Sequence, residues 1–274
     1  MKKNKSILLS APYILWMLLF TLIPLGLMVY YAFTDPDTGV FTFGNLQDLS
    51  LFLPTLGTSV VYSLISAIIC LLLGYPVAYF IAHRSQVTQK ILYMLIMLPM
   101  CMSFLLRTLA WVGLLETNGI INLLLGKLGV GTVDTIGTPA AVILGMVYNY
   151  LPYMILPLYA VIVKIDNRLI EAAEDLGCNG MQVFGRVILP LSVPGILSGI
   201  TMVFVPAVST FYISQKLGGA DTMLIGDIIE KQFKTSNNPN LGAALSLLLM
   251  LIVLICTGIM NRFGGEDEEG GVVV

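Results

Sequence analysis

Apolar residues in this chain are gathered into six runs, at about residues 7–33, 58–82, 91–115, 140–163, 194–214 and 241–260. A helix crosses the hydrocarbon of a bilayer in about 20 residues and satisfies its own backbone hydrogen bonds without water. The pattern therefore predicts an all-α membrane protein with six transmembrane helices. Pro24, Pro76, Pro99, Pro152, Pro157 and Pro206 fall inside the runs. Lipid-embedded helices tolerate such breaks because neighbours re-satisfy the freed carbonyls, and helices built this way can bend. The first run follows MKKNKS, but it is too long for the apolar core of a signal peptide and lacks a small-x-small cleavage site, so a retained span is expected.

The polar segments between the runs set the orientation. With the N-terminus inside, the cytosolic segments hold Lys2, Lys3, Lys5, Arg84, Lys90, Lys164, Arg168, Arg186 and Arg262. The outer segments hold Lys127, Lys216, Lys231 and Lys234, and Arg107 stands within a span. Short loops rich in Lys and Arg stay in the cytosol, so both termini are expected there. Three outer loops remain, 34–57, 116–139 and 215–240. The first contains the turn sequence DPDTG. The second places Ile120, Ile121, Leu124, Leu125 and Leu128 at helical spacing after Asn118, a candidate cap. The third repeats the arrangement with Leu224, Ile225, Ile228, Ile229 and Phe233. Two short amphipathic helices are expected, lying along the membrane surface or rimming a docking site.

The longest polar segment, 164–190, reads KIDNRLIEAAEDLGCNGMQVFGRVILP and falls on the cytosolic side. Leu169, Ala172, Ala173 and Leu176 recur at helical spacing, a stripe too short to bury itself. Gly177 suits a helix end, where positive φ costs glycine little. A second helical piece over roughly 180–187 is expected to stop before Leu189–Pro190. Two short helices with a bend make a compact knob, kept slim by the alanine pair, with Glu171 free to meet a basic residue of a partner.

Composition narrows the classes further. The chain has 274 residues, 57% hydrophobic and 11% charged, with a net charge of −2. Soluble domains carry about 25% charged residues, and a mildly acidic chain has no electrostatic footprint for nucleic acid. Cys70, Cys101, Cys178 and Cys256 are scattered without a CxxC pair, so no disulfide, metal or cofactor is expected. There is no G-x4-G-K-[ST] to cradle ATP phosphates, no HExxH and no nucleophile elbow. An enzyme is excluded on those grounds. The single histidine, His83, sits at a span end beside Arg84 and reads as a headgroup anchor.

Arg107 is the charge inside a span. A central Arg costs roughly 2.5–3.5 kcal/mol on insertion scales, so it must face protein or water. It lies about 12 Å from the outer end at helical rise, within snorkelling reach. It either lines a translocation path or pairs with Glu116, a backbone carbonyl or a partner subunit. Trp111, Tyr148, Tyr153, Phe211 and Tyr212 stand near the outer halves of the third to fifth spans. They form either an interfacial belt or aromatic faces for a cationic ligand along the path.

The polar segment also carries a pattern: Glu171, Ala172, Ala173, Gly177, Val187, Leu189 and Pro190 stand at E-A-A-x3-G-x9-[IV]-x-L-P. It resembles the cytoplasmic EAA loop of ABC importer permeases. The rest of the chain is similar to the spermidine/putrescine (PotB-type) permeases of that family in LLLGYPVAYFIA (71–82), LPMCMSFLLRTLAW (98–111), the Gly119…Asn122 pair, YNYLPYMILPLY (148–159) and GGADTMLIGDIIEKQF (218–233). The resemblance implies a type I importer architecture, MetI-like, with a permease domain over 1–262; the acidic, Gly-rich stretch over 263–274 is expected from its composition to be a disordered tail. It implies polyamine import without covalent chemistry in this chain. The implied partners are a homologous second permease (PotC-like), an ABC ATPase dimer (PotA-like) and an extracytoplasmic substrate-binding protein (PotD-like). Glu171, Ala172, Ala173, Gly177, Leu189 and Pro190 are the implied ATPase-coupling residues. Alternatives are the same architecture carrying iron, thiamine or an anion, or an ion-coupled secondary transporter. The last would show an Asp, Glu or His inside a span for coupling, and internal repeats, and neither is visible.

Overall fold

A computed structural model describes residues 12–35, 38–127, 134–236 and 238–264. The helices, in chain order, are α1 Pro12–Ala32, α2 Leu53–Ala82, α3 Gln86–Met97, α4 Phe104–Leu115, α5 Ile120–Lys127 and α6 Pro139–Ile162. They continue with α7 Asn167–Asp175, α8 Gly180–Leu191, α9 Val193–Val208, α10 Tyr212–Leu217, α11 Ile225–Lys234 and α12 Pro239–Gly264. Among the described residues only isolated β-bridges occur, Thr34 with Phe41 and Gly137 with Gly218. The protein is all-α. Among the described residues five helical stretches are long and apolar enough to cross a membrane, one of them (Phe104–Lys127) running through α4 and α5, and the α8–α9 pair, bent by 63°, makes a sixth if it counts as one span.

The chain divides into two compact units, Met1–Leu56 with Ile228–Ile252, and Gly57–Asp227 with Val253–Val274. In the first, α1 exposes its apolar side chains nearly all round, as a helix solvated by lipid would. Its end is clipped by amides. The buried Asn45 donates to Ala32 O at 3.1 Å and Thr34 O at 2.9 Å, and Asn240 donates to Thr34 O at 2.6 Å. These donors meet carbonyls that a helix end leaves without partners. Of the expected turn DPDTG, Pro36 and Asp37 lie outside the described residues.

The second unit is organised around α6, lined along α9 and cored by Met146, Met154, Leu158, Val203, Phe204 and Ala207. Close approach is possible because α9 offers glycine at one-turn spacing. A Cβ on Gly195 would lie 3.0 Å from Pro157 O, and one on Gly199 would lie 2.6 Å from Met154 Sδ. Small residues four apart are the usual means of bringing helix backbones together in lipid.

Two of the six expected runs are not single helices. Run 91–115 is broken: α3 ends in a 3₁₀ turn at Leu98–Cys101, and Met102 and Ser103 are extended before α4 begins. Pro99 brings no N–H into the turn, which prevents the helix from carrying on. Run 194–214 breaks after Val208. Pro206 removes a donor there, and Ser209 Oγ bonds back to Val205 O at 3.2 Å. The expected loop 34–57 is partly helical, because α2 starts at Leu53. The helix after Asn179 does not stop before Leu189–Pro190. It passes through them, a π turn at Phe184–Ile188 letting Leu189 N–H reach back to Phe184 O. The apolar stripe of the third loop is not laid on a membrane surface at its start, where Leu224 and Ile225 are wholly buried. Leu128 of the second loop and residues 265–274 of the expected tail lie outside the described residues, whereas Phe263 and Gly264 belong to α12.

Candidate coupling segment and translocation residues

The segment 164–191 folds as a helix–bend–helix because each end is capped. Asp166 accepts from Arg168 N–H at 3.0 Å and starts α7. At its other end Gly177 takes φ +85°. Cys178 N–H bonds Ala173 O at 3.1 Å and Gly177 N–H bonds Glu174 O at 2.8 Å, the paired bonds of a left-handed helix stop. Asn179 then caps α8 reciprocally with Gln182, at 2.9 and 3.0 Å.

One face of this knob is packed. Ala173, Val183 and Ile188 are buried together, with Ile165, Ile170, Phe184, Val187 and Tyr79 against them. The other face is open. Glu171 and Ala172 are exposed, Leu169 is 49% exposed, Leu176 87% and Met181 80%. The expected stripe therefore divides. Ala173 anchors the knob, while Leu169, Ala172 and Leu176 present apolar surface to solvent. Glu171 has no hydrogen-bond or ion-pair partner among the described residues, so its charge is free. Leu189 and Pro190 are exposed at the elbow that joins α8 to α9.

Beside the knob lies a cavity of about 340 Å³, lined among others by His83, Gln86, Gln89, Asn167, Ile170 and Ile188. Gln89 ties its walls together. It donates to Ala82 O at 2.8 Å and Arg84 O at 2.9 Å, and accepts from Tyr159 OH at 3.2 Å. His83 bonds Tyr79 O at 2.8 Å and Arg84 lies 4.0 Å over the Phe80 ring, an arrangement that fixes the end of α2.

The translocation candidates separate into groups. Trp111 and Tyr148 meet edge to face at 5.3 Å. Tyr212 reaches Phe104 at 6.4 Å, Phe104 stacks on Tyr150 at 6.4 Å, and Tyr150 meets Tyr153 at 6.4 Å. Phe211 is 41% exposed at the start of α10. Arg107 neither snorkels nor pairs with Glu116. It is 5% exposed, and its Nε and Nη1 have no hydrogen-bond partner among the described residues. Asn149, which donates to Gly145 O at 2.9 Å and to Thr108 Oγ1 at 3.5 Å, has no partner for its Oδ1 among the described residues.

The sequence matches the family described as "Binding-protein-dependent transport system inner membrane component" over residues 71–264. The chain belongs to that family. The permease is 39% identical over 256 residues to the spermidine/putrescine transport system permease protein PotB of Haemophilus influenzae, covering 90% of each chain. It is 37% identical to PotB of Escherichia coli K12, covering 87% of this chain and 90% of that one. Among solved structures it resembles a chain of a bacterial ABC transporter that imports the acidic polysaccharide alginate, with TM-score 0.81, 20% identity and coverage of 96% and 98%. A chain of the MetNI methionine ABC transporter matches at TM-score 0.61, 16% identity and coverage of 80% and 96%. These structures share the fold. The chain is thus an ABC importer permease of the MetI-like fold, a multi-pass protein of the bacterial inner membrane and a transport component.

Several residues that shape the permease's sites were not singled out by sequence. Phe104 and Tyr150 join Tyr212 to Tyr153, yet aromatic residues inside a span carry no mark of their neighbours. Gly119, rather than Asn118, immediately precedes α5. A Cβ there would lie 2.5 Å from Leu114 O, and Asn122 donates to Glu116 O at 3.2 Å across the same turn. The quoted Gly119…Asn122 pair is therefore a packed corner. In the third loop Ser59 Oγ accepts from Ile225 N–H at 2.8 Å and Asp227 accepts from Leu224 N–H at 2.8 Å. Those bonds explain why the Leu-Ile-Gly-x stretch is buried.

Proposed function

We propose that this permease forms half of the membrane channel of an ATP-driven importer for polyamines of the spermidine/putrescine class. A homologous second permease supplies the other half, an ATPase dimer binds the knobs, and an extracytoplasmic binding protein delivers the substrate. No ATP chemistry occurs in this chain.

The observation that carries the reading is the open face of the capped knob. Glu171 stands unpaired beside Ala172, Leu169 and Leu176, a small apolar surface with one free carboxylate. Such a surface fits a groove bearing a basic side chain, and a monomer gains nothing from exposing it. The positive-inside distribution of Lys and Arg supports a cytosolic knob and cytosolic termini. Glu171, Ala172, Ala173, Gly177, Leu189 and Pro190 are the coupling residues, with Ala173 acting from the packed side.

The names of the relatives support the cargo. Arg107 does not oppose it, because a buried guanidinium inside the helix packing is not presented to a passing cation. Trp111, Tyr148, Tyr153, Phe211 and Tyr212 offer aromatic faces that suit ammonium groups. Uptake of labelled spermidine by vesicles containing the whole complex tests the reading. Excess unlabelled putrescine should suppress uptake, whereas thiamine, ferric citrate and phosphate should not. Suppression by an anion and indifference to putrescine would replace the polyamine with that cargo.

A further inference from the structure

We infer that Tyr75 and Ser192 form a two-hydroxyl relay that locks the elbow between α8 and α9 to α2, and that this lock transmits movement of the knob into the spans. The inference rests on the permease reading above.

The elbow turns the chain by 63° at Ser192, a residue with no exposed surface. Such a bend strands carbonyls. Pro194 has no N–H, so Pro190 O lacks its helical donor, and the donors to Ile188 and Leu189 must come from the elbow itself. Ser192 N–H reaches Ile188 O at 3.0 Å and Leu189 O at 3.2 Å. Ser192 Oγ also donates to Leu189 O at 2.9 Å. With that proton committed, Ser192 Oγ is left as an acceptor, so the 2.8 Å contact with Tyr75 is donated by the tyrosine hydroxyl. The hydrogen bonds run one way, from Tyr75 through Ser192 to the carbonyl of Leu189.

Tyr75 holds a second point. Its ring meets Phe184 edge to face at 5.5 Å, and Phe184 opens the π turn of α8. One side chain of α2 thus grips α8 near its middle and at its end. Tyr75 is 8% exposed and immediately precedes Pro76, the proline inside that 30-residue helix. A hydroxyl buried at this depth has little water to turn to, so loss of the Ser192 hydroxyl leaves the Tyr75 hydroxyl without its acceptor, and loss of the Tyr75 hydroxyl uncouples the elbow from α2. A knob pulled sideways therefore carries α2 with it at its weakest point. Without the relay the elbow would yield, and knob movement would be lost in bending it.

The test is the number of substrate molecules taken up per ATP hydrolysed by the reconstituted complex, for wild type, Y75F, S192A and Y75F/S192A, with Y13F on exposed α1 as a control. Y75F is expected to assemble and hydrolyse ATP while the transport ratio falls about five-fold, as losing one buried hydrogen bond from the coupling implies. S192A and the double variant should fall by the same factor, because the hydroxyls act as one unit. A wild-type ratio in either single variant overturns the relay. So do losses that multiply in the double variant, or failure of both singles to assemble with the ATPase, which would make the pair purely structural. If the wild-type complex itself takes up no substrate on ATP hydrolysis, the importer reading fails instead.

Discussion

Glu171, Gly177 and Arg107 illustrate three ways in which a single residue matters. Glu171 is exposed and unpaired, so charge reversal should leave the fold intact and remove a contact to a basic partner. E171K is expected to insert normally and to lose ATPase association by at least about ten-fold, the scale of a charged contact at an interface. Gly177 holds a left-handed conformation that a β-branched residue rarely adopts. G177V should unwind the stop of α7 at a cost of about 1–2 kcal/mol, read as faster hydrogen exchange or proteolysis at residues 173–180. Arg107 is buried with two nitrogens lacking partners. Replacing an uncompensated buried charge by an apolar side chain of similar length removes its desolvation cost and should be neutral or stabilising. R107M is thus expected to melt at the same temperature or higher in detergent, and a large drop would reveal a counter-charge supplied by another subunit. The sign of these effects could not be read from the residue types alone. Glu171 and Gly177 were legible because spacing and φ preference are local properties. The burial of Arg107 was not, because a helix has several faces and sequence does not say which one meets α6.

At the level of elements, the cues that worked were periodic or terminal. Apolar runs marked the spans, and Asp166, Gly177 and Asn179 marked the ends of α7 and α8. What failed was continuity. Proline in an apolar run reads the same whether the helix carries on through it, as at Pro152 and Pro157 within α6, or breaks, as near Pro99. The outcome depends on whether nearby groups can satisfy the freed carbonyls, which is a tertiary matter. The π turn before Pro190 is the same problem solved by shifting the hydrogen-bond register. Packing between α6 and α9 was equally hidden, although GILSG (195–199) carries its sign in the glycine spacing. G195L would press a side chain toward the Pro157 carbonyl, and such overpacking should cost about 1–3 kcal/mol. Thermal unfolding of the purified permease checks it, and an unchanged midpoint would mean that α9 stands further from α6 than the 3.0 Å approach implies.

At the scale of the whole molecule, apolar helices carry a small polar knob whose open face is exposed among the described residues. The overall architecture was legible early because lipid imposes a narrow choice of structure. The cargo class was legible only through the likeness of stretches such as GGADTMLIGDIIEKQF (218–233) to polyamine permeases, because no residue pattern in the spans names a substrate by itself. The proposed importer stands or falls on whether an ATPase docks at residues 167–191. The most direct measurement is co-purification of the ATPase with the wild-type permease pair and with the pair carrying E171K, scored against equal amounts of inserted permease. The account predicts stoichiometric ATPase with the wild type and little or none with E171K. Equal recovery of the ATPase with both would contradict it.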